Sequence, residues 1–141
     1  MQIRNVMTQN VSTVQQDSSV SEAASIMKDL NVGAIPVCEG KKPVGILTDR
    51  DITIRNVADA RDANSLVKDI MSGNLVYGTP DMSNEEAAQI MAENQIRRLP
   101  IVQNGNLVGI ISLGDLAVKT RGDMEAGKAL STISTPSRPQ R

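Results

Sequence analysis

Between Val20 and Leu30 the apolar residues Val20, Ala23, Ala24, Met27 and Leu30 recur at spacings of three and four, which places them on one face of a helix. Ser19-x-x-Glu22 stands at its start and reads as a capping box, the serine oxygen capping a free amide and the glutamate reaching back. An extended stretch, Val11–Val14, precedes this helix. Two β runs, Ala34–Val37 and Val44–Leu47, follow it around the turn Glu39-Gly40-Lys41-Lys42, and a second helix begins after Thr48. The order is β-α-β-β-α, with a right-handed crossover expected through the first helix.

The same pattern returns after about 64 residues. Met7 meets Met71, Asn10 meets Asn74, Asp17 meets Asp81 and Ser19 meets Ser83. Glu22-Ala23-Ala24 meets Glu86-Ala87-Ala88, Ile26-Met27 meets Ile90-Met91, and Pro36 meets Pro100. Val44-Gly45-Ile46 meets Val108-Gly109-Ile110, and Asp51 meets Asp115, all without a gap. Leu75–Tyr77 is the expected first strand of the second copy, Ser83-x-x-Glu86 its helix start and Asn104-Gly105 its hairpin turn. A period this long is no solenoid; it marks a tandem pair of units, each too small to bury enough surface alone. The expected division is residues 1–62 for the first copy, 63–120 for the second, and 121–141 for a short helix and a loose tail. The fold class is α/β in the mixed (α+β) sense.

Composition narrows the chemistry. Lys and Arg total 15 against 16 Asp and Glu, a net charge of −1, so no basic excess faces a nucleic-acid backbone. No apolar run approaches the roughly 20 residues of a membrane helix, and Met1–Asn5 lacks the pattern of a signal peptide. Histidine is absent, which removes the commonest general base and metal ligand. Cys38 is the single cysteine, so the chain can form no internal disulfide and no thiolate metal cluster; a lone thiol fits a reducing, cytoplasmic compartment. With Tyr77 the only aromatic residue, no stacking platform for single-stranded nucleic acid can be built. No catalytic or metal-ligating constellation stands out.

Gly45-Ile46-Leu47-Thr48-Asp49-Arg50-Asp51 is echoed by Gly109-Ile110-Ile111-Ser112-Leu113-Gly114-Asp115. A hydroxyl ends a strand, and a carboxylate follows three residues later in the first turn of a helix. One reading is structural: a helix cap, although Asp is shorter than the Glu of the other boxes. The other is nucleoside binding. A short carboxylate accepts bonds from both ribose hydroxyls, the helix start offers free amides to phosphate oxygens, and the glycine lets a ligand approach the backbone.

The repeat, the unit order and the paired Gly-x-x-(Thr/Ser)-x-x-Asp, with Val-Gly-Ala-Ile-Pro-Val (32–37) and Ile-Arg-Arg-Leu-Pro-Ile (96–101) upstream, resemble a tandem of cystathionine-β-synthase (CBS) domains, or Bateman module, over about Ile3 to Val118. The resemblance implies two repeats packed with pseudo-twofold symmetry, adenosine-containing ligands in two clefts between them, and disc-like homodimers. It implies that Asp51 and Asp115 hold ribose, that Thr48 and Ser112 support ribose or phosphate, and that Arg98, with Arg97 beside it, meets phosphate. It places Ser12 and Val76 at the base pocket, with backbone near Ile35 and Leu99 reading the base.

Gly33-Ala34 aligns with Arg97-Arg98, so the second copy is the better suited to phosphate. The expectation is a sensor that requires no cofactor. It binds an adenosine nucleotide or an S-adenosylmethionine-like molecule and passes the change to a protein partner. Two alternatives stay open: a ligand-free structural or dimerising module, and a small nucleotide-acting enzyme. A near P-loop, Gly122-x-x-x-x-Gly127-Lys128-Ala129, lacks its Ser or Thr and its preceding strand.

Overall fold

A computed structural model describes residues 2–119; the expected C-terminal helix, tail and near P-loop lie outside the described residues. Strand β1 (Val14–Gln15), helix α1 (Val20–Leu30), strands β2 (Ala34–Glu39) and β3 (Lys42–Thr48), and helix α2 (Asp49–Asp51) follow in the first copy. A π-helical stretch, Ile52–Val57, continues α2. The second copy holds helix α3 (Asn84–Asn94), strands β4 (Arg98–Gln103) and β5 (Asn106–Ser112), and helix α4 (Leu113–Lys119). Among the described residues no helix is long and apolar enough to cross a membrane.

Helix α1 begins where Ser19 Oγ accepts from the Glu22 amide at 3.1 Å. It stops at Asn31, whose left-handed backbone (φ 54°) turns the chain out. Helix α3 repeats both devices, with Ser83 Oγ accepting from the Glu86 amide at 3.1 Å and Gln95 at φ 53°. The expected reach of the glutamates back to the cap amide does not form in either helix. Glu86 Oε1 instead accepts from Ser83 Oγ at 3.3 Å.

In the first copy β1 lies parallel to β2, with Val14 beside Val37, and β2 runs antiparallel to β3 with a bulge at Val37/Cys38. The β1–α1–β2 crossover is therefore formed. In the second copy β4 and β5 pair across Asn104-Gly105, both with positive φ, the backbone that two-residue hairpins favour. The strand expected at Leu75–Tyr77 is absent. A single parallel bridge, Gly78 to Ile101, takes its place, at the position of Val14 in the first copy. An added Cβ on Gly78 would meet Leu99, Met82 and Ile101 at 3.0–3.3 Å, so those side chains fill the space Val14 holds in the other copy.

The compact units are not the two linear copies. One comprises Ser12–Leu75 with Gly105–Leu107; the other, among the described residues, joins the N-terminal stretch through Val11 to Val76–Asn104 and to residues 108–119. The residues behind this difference are two 3-10 turns, Ile3–Asn5 and Val67–Asp69. Val67 and Ile70 are buried in the core of the first copy with Val14, Val20, Ala23, Met27, Ile35, Val37 and Leu47. Ile3 and Val6 are buried in the core of the second with Ala87, Ala88, Met91, Leu99, Ile101, Ile111, Leu113 and Leu116. The backbone ties match. Val67 N–H donates to Ser18 O at 2.8 Å and Lys68 N–H to Gln16 O at 2.9 Å; Ile3 N–H donates to Met82 O at 2.9 Å and Arg4 N–H to Pro80 O at 3.1 Å. Arg4 also pairs with Asp81. Each core is thus completed by a turn that lies in the chain just ahead of the rest of the other copy.

Cys38 is buried in β2, as expected of a small core residue. Burial pushes its thiol above the ordinary value, partly offset by a hydrogen bond with Thr13.

Candidate functional site

Strand β3 stays extended through Thr48 (φ −114°, ψ 160°) and the chain then turns into α2. Thr48 Oγ1 accepts from the Asp51 amide and Asp51 Oδ2 accepts from the Thr48 amide, each at 3.0 Å, a complete reciprocal cap. Asp51 Oδ1 faces Arg55 Nε at 4.0 Å, and Arg55 Nη1 donates to the carbonyls of Ile70 and Met71 at 3.4 and 3.3 Å. The Asp49 amide donates to Gly33 O at 2.9 Å, and the Arg50 amide to Asp49 Oδ1 at 2.8 Å. Every amide of this first turn therefore has a partner within the protein.

The second copy rebuilds the arrangement with different edges. The Asp115 amide donates to Ser112 Oγ at 3.0 Å and the Ser112 amide to Asp115 Oδ2 at 3.3 Å. The Leu113 amide donates to Arg97 O at 2.9 Å, matching Asp49 and Gly33. The Gly114 amide, at the place of Arg50, has no partner among the described residues. Arg97 and Arg98 are exposed, and neither guanidinium has a partner among the described residues.

Each unit thus gathers a hydroxyl and a half-buried carboxylate at a strand end. Oδ2 of each carboxylate serves the cap; Oδ1 of Asp51 faces Arg55, whereas Oδ1 of Asp115 has no partner among the described residues and remains an acceptor for a hydroxyl. The structural reading of the motif, a helix cap, is formed in both copies, and the shorter Asp closes the reciprocal cap that the glutamates of α1 and α3 leave unmade. Ile35 and Leu99 are fully buried core residues, and Ile35 stands opposite Leu47 in the β2–β3 pair. Val76 packs at the edge of the second core. Ser12 is exposed on a shallow recess of about 360 Å³ shared with Thr13, Ile26, Asp29 and Leu30, and makes no hydrogen bond to Thr48 or Asp51.

Two details correct the sequence reading. The motif glycines do not leave room for a ligand. A Cβ on Gly45 would lie 2.4 Å from Ser72 O and 3.0 Å from Met71 Sδ; one on Gly109 would lie 2.6 Å from Met7 Sδ and 3.0 Å from Thr8 O. The chain itself crosses there: Ile46 and Ser72 exchange backbone bonds at 3.2 and 3.0 Å, and Thr8 and Ile110 at 2.9 and 3.0 Å. The second correction concerns the start of α2, which offers no free amide. Asp49 and Arg55 also belong to this rim and were missed. The offset pairing of Asp49 with Leu113 was the available signal for the first; nothing in the sequence marked Arg55.

Two small α+β units, each carrying a strand-end hydroxyl and carboxylate on a 64-residue repeat, define a tandem-repeat module. The CBS domain family model matches residues 3–55 and 67–120, and the chain belongs to the CBS domain family. The CBS domain-containing protein YhcV of Bacillus subtilis (strain 168) is 52% identical over 132 residues, 94% of each chain. Among solved structures, Hypoxic Response Protein I with two coordinated zinc ions superposes with a TM-score of 0.77 at 31% identity, covering 83% of this chain and 97% of that one. CBSX2 in complex with AMP shares the fold, with a TM-score of 0.74 at 23% identity over 87% of this chain and 98% of that one.

Proposed function

We propose that this chain is a regulatory module that binds an adenosine-containing ligand and passes the change to a protein partner or a second copy. The observation that carries the reading is the duplicated pair Thr48/Asp51 and Ser112/Asp115, in which the cap uses one carboxylate oxygen and leaves the other facing Arg55 in the first unit and without a partner among the described residues in the second. Arg97 and Arg98, exposed and unpaired among the described residues, add permanent forked cations suited to phosphate on the second copy. The AMP held by CBSX2 belongs to a protein of the same fold and fits this choice of ligand. The zinc of Hypoxic Response Protein I is not carried over. Among the described residues no three His, Cys, Asp or Glu side chains gather to hold a metal ion, and the reading requires neither metal nor catalysis.

Equilibrium dialysis with labelled ATP tests it. Wild type retains ATP, Asp115→Ala abolishes at least one site, and the double variant Arg97→Ala/Arg98→Ala weakens ATP far more than adenosine. Equal retention by all three chains contradicts the assignment.

A further inference from the structure

The two copies place opposite chemistry directly after the strand-end hydroxyl: Asp49 follows Thr48, whereas Leu113 follows Ser112. We propose that Asp49 sets the ligand class of the first copy's site, excluding 5′-phosphates and admitting an adenosine ligand whose 5′ substituent is neutral or cationic. This rests on the adenosine reading above and deepens it.

Position and charge carry the argument. A Cβ built on Gly33 would lie 3.2 Å from Asp49 Oδ2 and 3.5 Å from Oδ1. The carboxylate therefore overlies position 33, the place from which Arg97 departs in the second copy. The Arg50 amide holds it there through Oδ1 at 2.8 Å. The same bond removes the backbone donor whose counterpart, the Gly114 amide, is open in the second copy. Arg55 is committed to Asp51 and to two carbonyls. Arg50 is the one rim cation with no side-chain partner among the described residues, and it stands next to the Asp49 charge in the chain. The second rim instead joins Arg97 and Arg98 to an apolar Leu113. Arginines on one rim and a fixed carboxylate on the other sort ligands by the charge of their 5′ group, through attraction on one and like-charge repulsion on the other.

The test is isothermal titration of the full chain carrying Asp115→Ala, which isolates the first site, with ATP, adenosine and S-adenosylmethionine as probes. Adenosine or S-adenosylmethionine is expected to bind at least tenfold more tightly than ATP. Adding Asp49→Asn, which keeps an oxygen for the Arg50 amide and removes the charge, is expected to bring ATP within threefold of adenosine; Asp49→Leu, the second copy's residue, is expected to do the same. ATP binding as tight as adenosine in the Asp115→Ala chain overturns the proposal and leaves the adenosine reading standing, as does an unchanged preference in both Asp49 variants. Failure of wild type to bind any of the three probes overturns the adenosine reading itself, and this inference with it.

Discussion

Gly45 and Gly109 hold equivalent places beneath a crossing segment, but the atoms above them differ in freedom. Over Gly45 the nearest atom is the Ser72 carbonyl oxygen, part of a bonded backbone pair; over Gly109 it is the end of the Met7 side chain. A flexible thioether moves aside more readily than a paired carbonyl. Gly45→Ala is therefore expected to cost about 1–3 kcal/mol through overpacking, and Gly109→Ala less, as read from urea unfolding. Equal and negligible costs would mean that the crossing is looser than its geometry. The same scale explains why Asp stands in both motifs: it reaches the cap amide at 3.0 and 3.3 Å with one oxygen and keeps the second out of the cap.

At the scale of elements, the hydrophobic pattern located α1, the β2–β3 hairpin and their repeats, because period and caps act within a few residues of one another. It misplaced the first strand of the second copy, because Gly78 surrenders its space to Leu99, Met82 and Ile101, a fact of packing rather than of local preference. It also could not reveal which core each 3-10 turn enters. Ile3 and Val67 occupy equivalent places in the repeat, and periodicity is silent about which copy buries each. The strand-end pairs Thr48/Asp51 and Ser112/Asp115 were legible from the motif; the Asp49 contact with Gly33 was not, since those residues are distant in sequence. The exchange of turns has a measurable consequence. Ile3→Ala and Ile70→Ala each remove a fully buried side chain and should cost about 2–5 kcal/mol. In amide hydrogen exchange, Ile3→Ala should speed exchange in α3 and β5, and Ile70→Ala in α1 and β3. The reverse pattern would place the turns in the cores of their own linear copies.

For the whole molecule, the covalent path matters as much as the site. Each unit takes its closing turn from a segment that continues into the other copy, so neither linear copy carries a complete core. The crossing segments pair with β3 and β5 close to Thr48 and Ser112, so a ligand that fixes either strand end also fixes a segment leading to the other unit. That connection fits the sensor proposed above, whose ligand would act by favouring one of two arrangements. The most direct measurement is thermal unfolding of the full chain with and without AMP, ADP and ATP, wild type beside Asp51→Ala/Asp115→Ala. A nucleotide at 100 times its dissociation constant stabilises by about 2.7 kcal/mol, a rise of several degrees in Tm for a chain of this size. The account predicts that rise in wild type and its loss in the double variant; an unchanged Tm with every nucleotide, or an equal rise in both chains, would contradict it.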